Sequence, residues 1–225
     1  MSEVSYWNDF QFIENEVSRA IELFYIADEL NNLARENSAV LKRFNEAPRF
    51  WIMQRYAFDV ALYIELGKIF DSGKDALSIH DLVQATVDNP AYFSKTSLRA
   101  RKSQATTKPA WLDAYMDEVT EPTSVELEAL RNALSPFTKK MTQVYRPVRN
   151  KIVAHNIARD TSETEVLFAK TNREDIKELL YFLHDLVQNL WQLYHNGRIP
   201  KLESSDRNFH LRIREETRRA IQRLV

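Results

Sequence analysis

The chain has 225 residues, 44% of them apolar and 28% charged, with 31 Lys and Arg against 32 Asp and Glu. It has no cysteine, which excludes disulfides, Cys-based zinc sites and thiol catalysis, and its three glycines cannot build a Gly-rich phosphate loop, so neither G-x-G-x-x-G nor a P-loop is present. A formal net charge of −1 does not mark the whole chain as a nucleic-acid binder, so the placement of the charges has to decide.

Scarce glycine with this share of charged and apolar residues predicts long helices. The N-terminal MSEVSYWNDF lacks the basic region and apolar core of a signal peptide. No run of about 18 apolar residues occurs, so no membrane span and a cytoplasmic location are expected.

Ile13, Val17, Ile21, Phe24, Ala27 and Leu30 recur at steps of three and four and predict an amphipathic helix over 8–36. Pro48 opens a second helix, 49–71, that is apolar nearly all round, the pattern of a central, buried helix. Arg55 and Asp59 lie i,i+4 on it and are expected to pair. Asp71-Ser72-Gly73 ends it. Ser78 and Asp81 resemble a capping box for a short helix over 79–88, closed by Pro90. Residues 94–108 carry five Lys or Arg, no carboxylate and no periodicity, and read as an exposed basic loop. Pro109 to Val119 reads as a short acidic helix.

Thr123 and Glu126 form a second capping box. Leu127, Leu130, Leu134, Phe137, Met141, Val144 and Val148 then follow at alternating steps of three and four, the strongest periodic signal in the chain. The seam runs through Pro136 and Pro147, where a kink or restart is expected. Residues 159–170 read as a loop. Thr171 and Glu174 suggest a third capping box for a helix that Asn196-Gly197 and Pro200 stop. An Arg-rich, weakly amphipathic helix covers 206–224. The fold class is therefore all-α: a bundle of four long helices with additional short ones over 1–200, extended by the Arg-rich C-terminal helix in 201–225.

The near-neutral total hides a patchwork. Trp111 to Glu128 holds six carboxylates and no cation, whereas Ala129 to Ala158 holds six cations and no carboxylate: Arg131, Lys139, Lys140, Arg146, Arg149 and Lys151. Two readings stay open: a phosphate-facing surface, or a solvated face paired with its acidic neighbours.

None of the five histidines has metal-ligand spacing and no G-x-S-x-G elbow occurs, so neither a metal nor another cofactor is expected. His155 stands apart. It lies seven residues after Val148, on the same apolar stripe. Taken alone it reads as a hydrogen-bonded histidine at the edge of the core. Its company gives the other reading: Arg149, Asn150 and Lys151 lie within two turns and supply two cations and an amide beside a titratable ring. Those are the group types that bind and cleave a phosphodiester.

Arg149-Asn150-Lys151-Ile152-Val153-Ala154-His155 resembles the signature of the HEPN superfamily (higher eukaryotes and prokaryotes nucleotide-binding domain): an Arg, four to six residues, then a His, often with a polar residue directly after the Arg. Ile64-Glu65-Leu66-Gly67-Lys68-Ile69-Phe70-Asp71 is similar to the second-helix segment of the abortive-infection branch of that superfamily. The resemblance spans about 10–196 and leaves out the last helix. It implies a metal-independent endoribonuclease of the prokaryotic toxin or phage-defence kind, acting on RNA as a homodimer whose two motif helices face one another to form one composite site. His155 would then move protons to and from the ribose 2′-OH and the leaving 5′-oxygen. Arg149 would hold the scissile phosphate, and Asn150 would bond that phosphate or orient His155. The products would be a 2′,3′-cyclic phosphate and a 5′-OH. Arg146, Lys151, Lys139 and Lys140 would bind the rest of the strand. A cognate antitoxin or regulatory partner is a further expectation. The tyrosine that some relatives carry two residues after the His, and that a partner modifies, is Ile157 here.

Spacing bears on the dimer too. Six residues of ideal helix rotate about 600°, so Arg149 and His155 point about 120° apart. A twofold partner, an irregular turn after Pro147 or the reach of Arg closes that gap. Two rivals remain: a non-catalytic HEPN-like module that binds RNA, nucleotide or protein, and a helical dimerisation scaffold whose cations in 129–158 are dispersed or salt-bridged.

Overall fold

A serine hydroxyl starts the longest helix. In the computed structural model, which describes residues 2–73, 75–103, 109–148, 150, 171–202 and 208–223, Ser2 Oγ accepts from the Ser5 N–H at 3.1 Å and α1 runs Glu3–Glu36. It starts earlier than its stripe predicts because Tyr6 and Phe10 also enter the core. Asn37, with extended backbone, ends α1, and its side chain accepts from the N–H groups of Ala39 and Val40 to start α2, Ser38–Glu46. No periodic stripe announces this helix. One asparagine turns the chain between two helices with no intervening loop.

The remaining helices are α3 (Pro48–Ile69), α4 (Ile79–Asp88), α5 (Lys95–Lys102), α6 (Leu112–Glu118), α7 (Ser124–Lys140), α8 (Arg173–Asn196) and α9 (Leu211–Gln222), with a 3₁₀ turn at Pro90–Phe93. Every regular element among the described residues is helical, as the all-α reading expects. Both predicted capping boxes, Ser78–Asp81 and Thr123–Glu126, form reciprocally. Backbone and side-chain bonds from Thr123 hold the Glu126 carboxyl below the usual range. The third cap falls one residue later than expected, with Asn172 accepting from the Glu174 N–H at 2.9 Å.

The centre of the bundle is α1, which packs against α3, α9, α2, α8 and α4. The apolar composition of α3 assigned that place to α3 instead. Only its C-terminal half is enclosed, with Leu62, Tyr63, Leu66 and Ile69 buried, while Phe50, Met53 and Tyr56 are exposed. Composition says that a helix face is apolar; it does not say which neighbour covers it. Arg55 and Asp59 do pair, at 3.4 Å.

Residues 95–102 form a helix where a basic loop was expected; 104–108 lie outside the described residues. Ser94 caps α5, and Leu98 is its single buried residue, packed with Leu112, Met116 and Val119. Arg99, Arg101 and Lys102 have structural partners. Arg101 donates to the backbone oxygens of Tyr92 (2.9 Å) and Tyr194 (2.7 Å), bonds Glu3, and stacks on the Tyr194 ring. Lys102 reaches Asn196 and Arg99 pairs with Asp113 at 2.6 Å. Cations at the carbonyl end of α8 also complement its dipole.

The basic C-terminal helix is likewise engaged. Arg214 bonds Glu29 at 3.1 Å and Asp28 at 2.5 Å; Arg218 bonds Glu29 at 2.7 Å and Glu36 at 3.2 Å. Arg173, at the start of α8, reaches Asp28 at 3.2 Å. Glu29 is 2% exposed, so its charge depends on the two guanidinium groups that meet it. Ile221 packs with Leu33 and Val40 below this ion cluster. No helix among the described residues is long and apolar enough to cross a membrane.

Two substitutions test these contacts. Arg214→Met leaves Glu29 buried with half its compensation and should cost about 3 kcal/mol in chemical denaturation, with faster amide exchange across 211–222. Gly197, at φ 59°, ends α8, and a Cβ there would lie 2.7 Å from Val119 Cγ1 and 2.8 Å from Leu98 Cδ2. Gly197→Ala should therefore cost about 2 kcal/mol and lower Tm.

Candidate functional site

The segment that carries the candidate motif is launched by α7. Leu127, Leu130 and Leu134 bury its inner face, as the seam predicts. Pro136 lies inside α7, and the helix passes through it. Both Pro136 and Asn132, whose carbonyl loses its donor, face water, so solvent replaces the missing bond. At Pro147 the outcome differs. Met141–Tyr145 forms a π-helical turn, in which the Arg146 N–H bonds back five residues to Met141, and α-helical geometry resumes at Arg146–Val148. The wider turn gives the proline ring room that the i−4 carbonyl would deny it.

This turn packs on the end of α3. Tyr63 and Gly67 from α3, with Phe70 just past its end, face Thr142, Tyr145 and Arg146 across a small cleft. The 64–71 phrase thus splits by face. Leu66 and Ile69 enter the core, Gly67 and Phe70 wall the cleft, and Glu65 and Lys68 turn to α1. Arg146 donates to Ser72 Oγ at 2.8 Å, with no carboxylate at that contact. The Tyr145 hydroxyl donates to the Asn172 carbonyl at 3.2 Å, and burial pushes its phenol up to about 12, so it stays a neutral donor at physiological pH. Asn150 is half-buried. Arg149, Lys151 and His155, together with Ile157, lie outside the described residues.

Arg131, Ser135, Lys139, Thr142 and Arg146 recur at steps of three and four, and so share one side of the helix leading to Asn150. Along α7 this side forms a groove of about 420 Å³ with α4, walled by His80, Gln84, Arg131, Ser135, Thr138 and Lys139, with no carboxylate in the wall. Lys139 is exposed there. Lys140 points elsewhere and pairs with Asp175 of α8 at 2.8 Å. Arg131 pairs with Glu128 at 2.5 Å and reaches Gln84 at 3.5 Å. Burial holds the His80 ring below its usual value, outweighing Asp81, so it is mostly neutral at pH 7. Nothing in the spacing of His80 and Arg131 foretells their meeting, which the packing of α4 on α7 produces.

The other described histidines pack on aromatic rings: His184 on Phe209 at 3.9 Å, His195 on Trp7 at 4.5 Å and His210 on Tyr25 at 4.3 Å. Among the described residues, no three His, Asp or Glu side chains converge as metal ligands would.

Behind the cleft, α1 and α3 share an acid pair. Glu16, 3% exposed, bonds Arg19 and lies 3.7 Å from Lys68; Glu65 lies 2.9 Å from Lys68 and 3.7 Å from Arg19. Burial and the neighbouring Glu65 push the Glu16 carboxyl up. Burial also raises Glu65, but bonds from Glu16 and Lys68 and the two cations outweigh it and hold that carboxyl down. The shift favours the protonated form of Glu16. Because the folded value of Glu16 exceeds its unfolded value, this contribution to stability is complete below about 4.5 and declines as pH rises through the raised value. Glu16→Gln keeps a donor toward Glu65 without a titrating proton. Melting temperatures from pH 4.5 to 8 should fall less steeply in that variant than in the wild type; parallel curves would remove the raised Glu16 value.

The family comparison bears on all of this. The family model HEPN_AbiU2, described as AbiU2, matches residues 10–217 and so runs from α1 into α9, past the 10–196 span of the sequence resemblance. No curated protein and no solved structure matches the chain. A match over nearly the whole of the bundle that carries both the 64–71 phrase and the 149–155 motif shows that the chain belongs to the HEPN AbiU2 family.

Proposed function

We propose that the protein is a metal-independent endoribonuclease of the prokaryotic abortive-infection kind, acting in the cytoplasm as a homodimer with a composite site. The observation that carries the reading is the groove beside α7, whose wall holds Lys139 and no carboxylate, with Arg146 beyond it on the way to Asn150 in a chain of HEPN family type. A strand laid there meets cations first and the motif next, as phosphodiester binding followed by cleavage requires.

In the reaction, the ribose 2′-oxygen attacks phosphorus and the bond to the 5′-oxygen breaks. One His155 takes the proton from the 2′-hydroxyl, and the His155 of the second copy gives a proton to the leaving 5′-oxygen. Arg149 spreads the charge developing on the phosphoryl oxygens, and Asn150 bonds the phosphate or aligns the ring. A 2′,3′-cyclic phosphate and a 5′-hydroxyl remain. Arg146, Lys151 and Lys139 hold flanking phosphates, whereas Lys140, paired with Asp175 away from the groove, does not. A cognate antitoxin or other regulatory partner would restrain the activity.

The test is RNA cleavage in EDTA by the purified wild type and by His155→Ala. Cleavage by the wild type, reduced at least about 10²-fold in the variant and giving cyclic-phosphate ends, is expected. Equal cleavage by both would move the chemistry elsewhere. RNA binding without cleavage by either would leave a non-catalytic binding module.

A further inference from the structure

The outer side of the first half of α3 lacks a partner among the described residues. Phe50 is 59% exposed, Ile52 66%, Met53 60%, Tyr56 52% and, further along, Ile64 41%. Phe50, Met53, Ala57, Val60 and Ile64 recur at steps of three and four, so an apolar stripe with no charged member runs four turns along the outer side of the helix. Open grooves flank the ridge on both sides, one of about 330 Å³ beside Leu30 and Trp51, the other of about 640 Å³ beside Ile26 and Phe58.

Scattered exposed apolar residues are ordinary, but a contiguous ridge between unfilled grooves is not. We infer that this ridge and its grooves are the contact surface with a second copy of the chain, α3 against α3 about a twofold axis. The inference rests on the dimer of the proposed function and names its interface.

Three features favour a copy as the occupant. Ridge and grooves belong to one surface, so each copy offers what the other needs, which is the condition for an isologous contact. The stripe carries no charge, so nothing in it attracts a phosphate strand, and the centre of a protein interface is depleted in charge in the same way. The area also fits. Side chains of this size, half open, leave roughly 100 Å² each, or roughly 500 Å² per chain for the five exposed residues. With the groove walls, two copies cover roughly 1,200 Å², the lower limit of stable specific interfaces. The stripe ends at Ile64, one turn before Gly67, whose cleft holds Arg146.

Light scattering on the eluting full chain, with RNA cleavage assayed in parallel, tests the inference. The wild type should elute at twice the chain mass and Met53→Glu at the chain mass, with unchanged circular dichroism and Tm. Val125→Glu, at an exposed apolar position outside the stripe, should remain dimeric. A monomeric wild type, or a Met53→Glu that stays dimeric, overturns the α3 interface; if that dimer still cleaves RNA, the ribonuclease reading survives without it. A Met53→Glu monomer that cleaves at the wild-type rate upholds the interface and overturns the composite site instead. The expected result is a monomer with cleavage reduced at least tenfold.

Discussion

The fold depends on carboxylates that a central helix has taken out of water. Glu29 has almost no solvent contact, and Asp28 beside it is mostly covered, so α1 can occupy the centre only if cations are delivered to it there. They come from chain positions roughly 145 to 190 residues away, Arg173 at the head of α8 and Arg214 and Arg218 on α9. This requirement draws the last helix, which has one buried apolar residue of its own, against the first. Further along α1, Glu16 makes a similar demand of Arg19 and of Lys68 on α3. Apolar burial supplies the bulk of the core, and meeting the charges on α1 helps decide which helices lie against it.

The same charge accounting separates two kinds of basic segment that look alike in the sequence. Arg99 and Arg101 of α5 and Arg212, Arg214 and Arg218 of α9 end on carboxylates, on helix-terminal carbonyls or over tyrosine rings. On the outer side of α7, Lys139 faces an acid-free groove, and the next cation along, Arg146, meets a serine hydroxyl. A run of Lys and Arg is therefore a poor guide until the acids that share its space are known.

What the sequence discloses, and what it conceals, follows from the range of the forces involved. Capping boxes are local, and Ser78–Asp81 and Thr123–Glu126 can be read directly. The long seam of α7 is legible because a single stripe of it, Leu127, Leu130 and Leu134, is buried. Helix α2 hides because Asn37 ends one helix and begins the next with no glycine or proline to mark the junction. Helix α5 hides because Leu98 alone anchors it. The third cap slips by one residue because Thr171 and Asn172 are both competent caps, and tertiary contacts choose between them. For the candidate site, the 149–155 motif and the 64–71 phrase are visible as patterns, whereas the groove joining His80 to Arg131 exists only once α4 lies on α7.

One side chain sets where the bundle yields. Arg101 ties the start of α1, the 3₁₀ turn and the end of α8 together, beside the stack of Trp7 on Tyr194. At the far end of α1, the helices part around the open grooves beside Trp51. The molecule is therefore mechanically lopsided, clamped at one end and splayed at the other. Regions with few buried contacts open first, so thermal opening should begin at the splayed end and reach the clamp last.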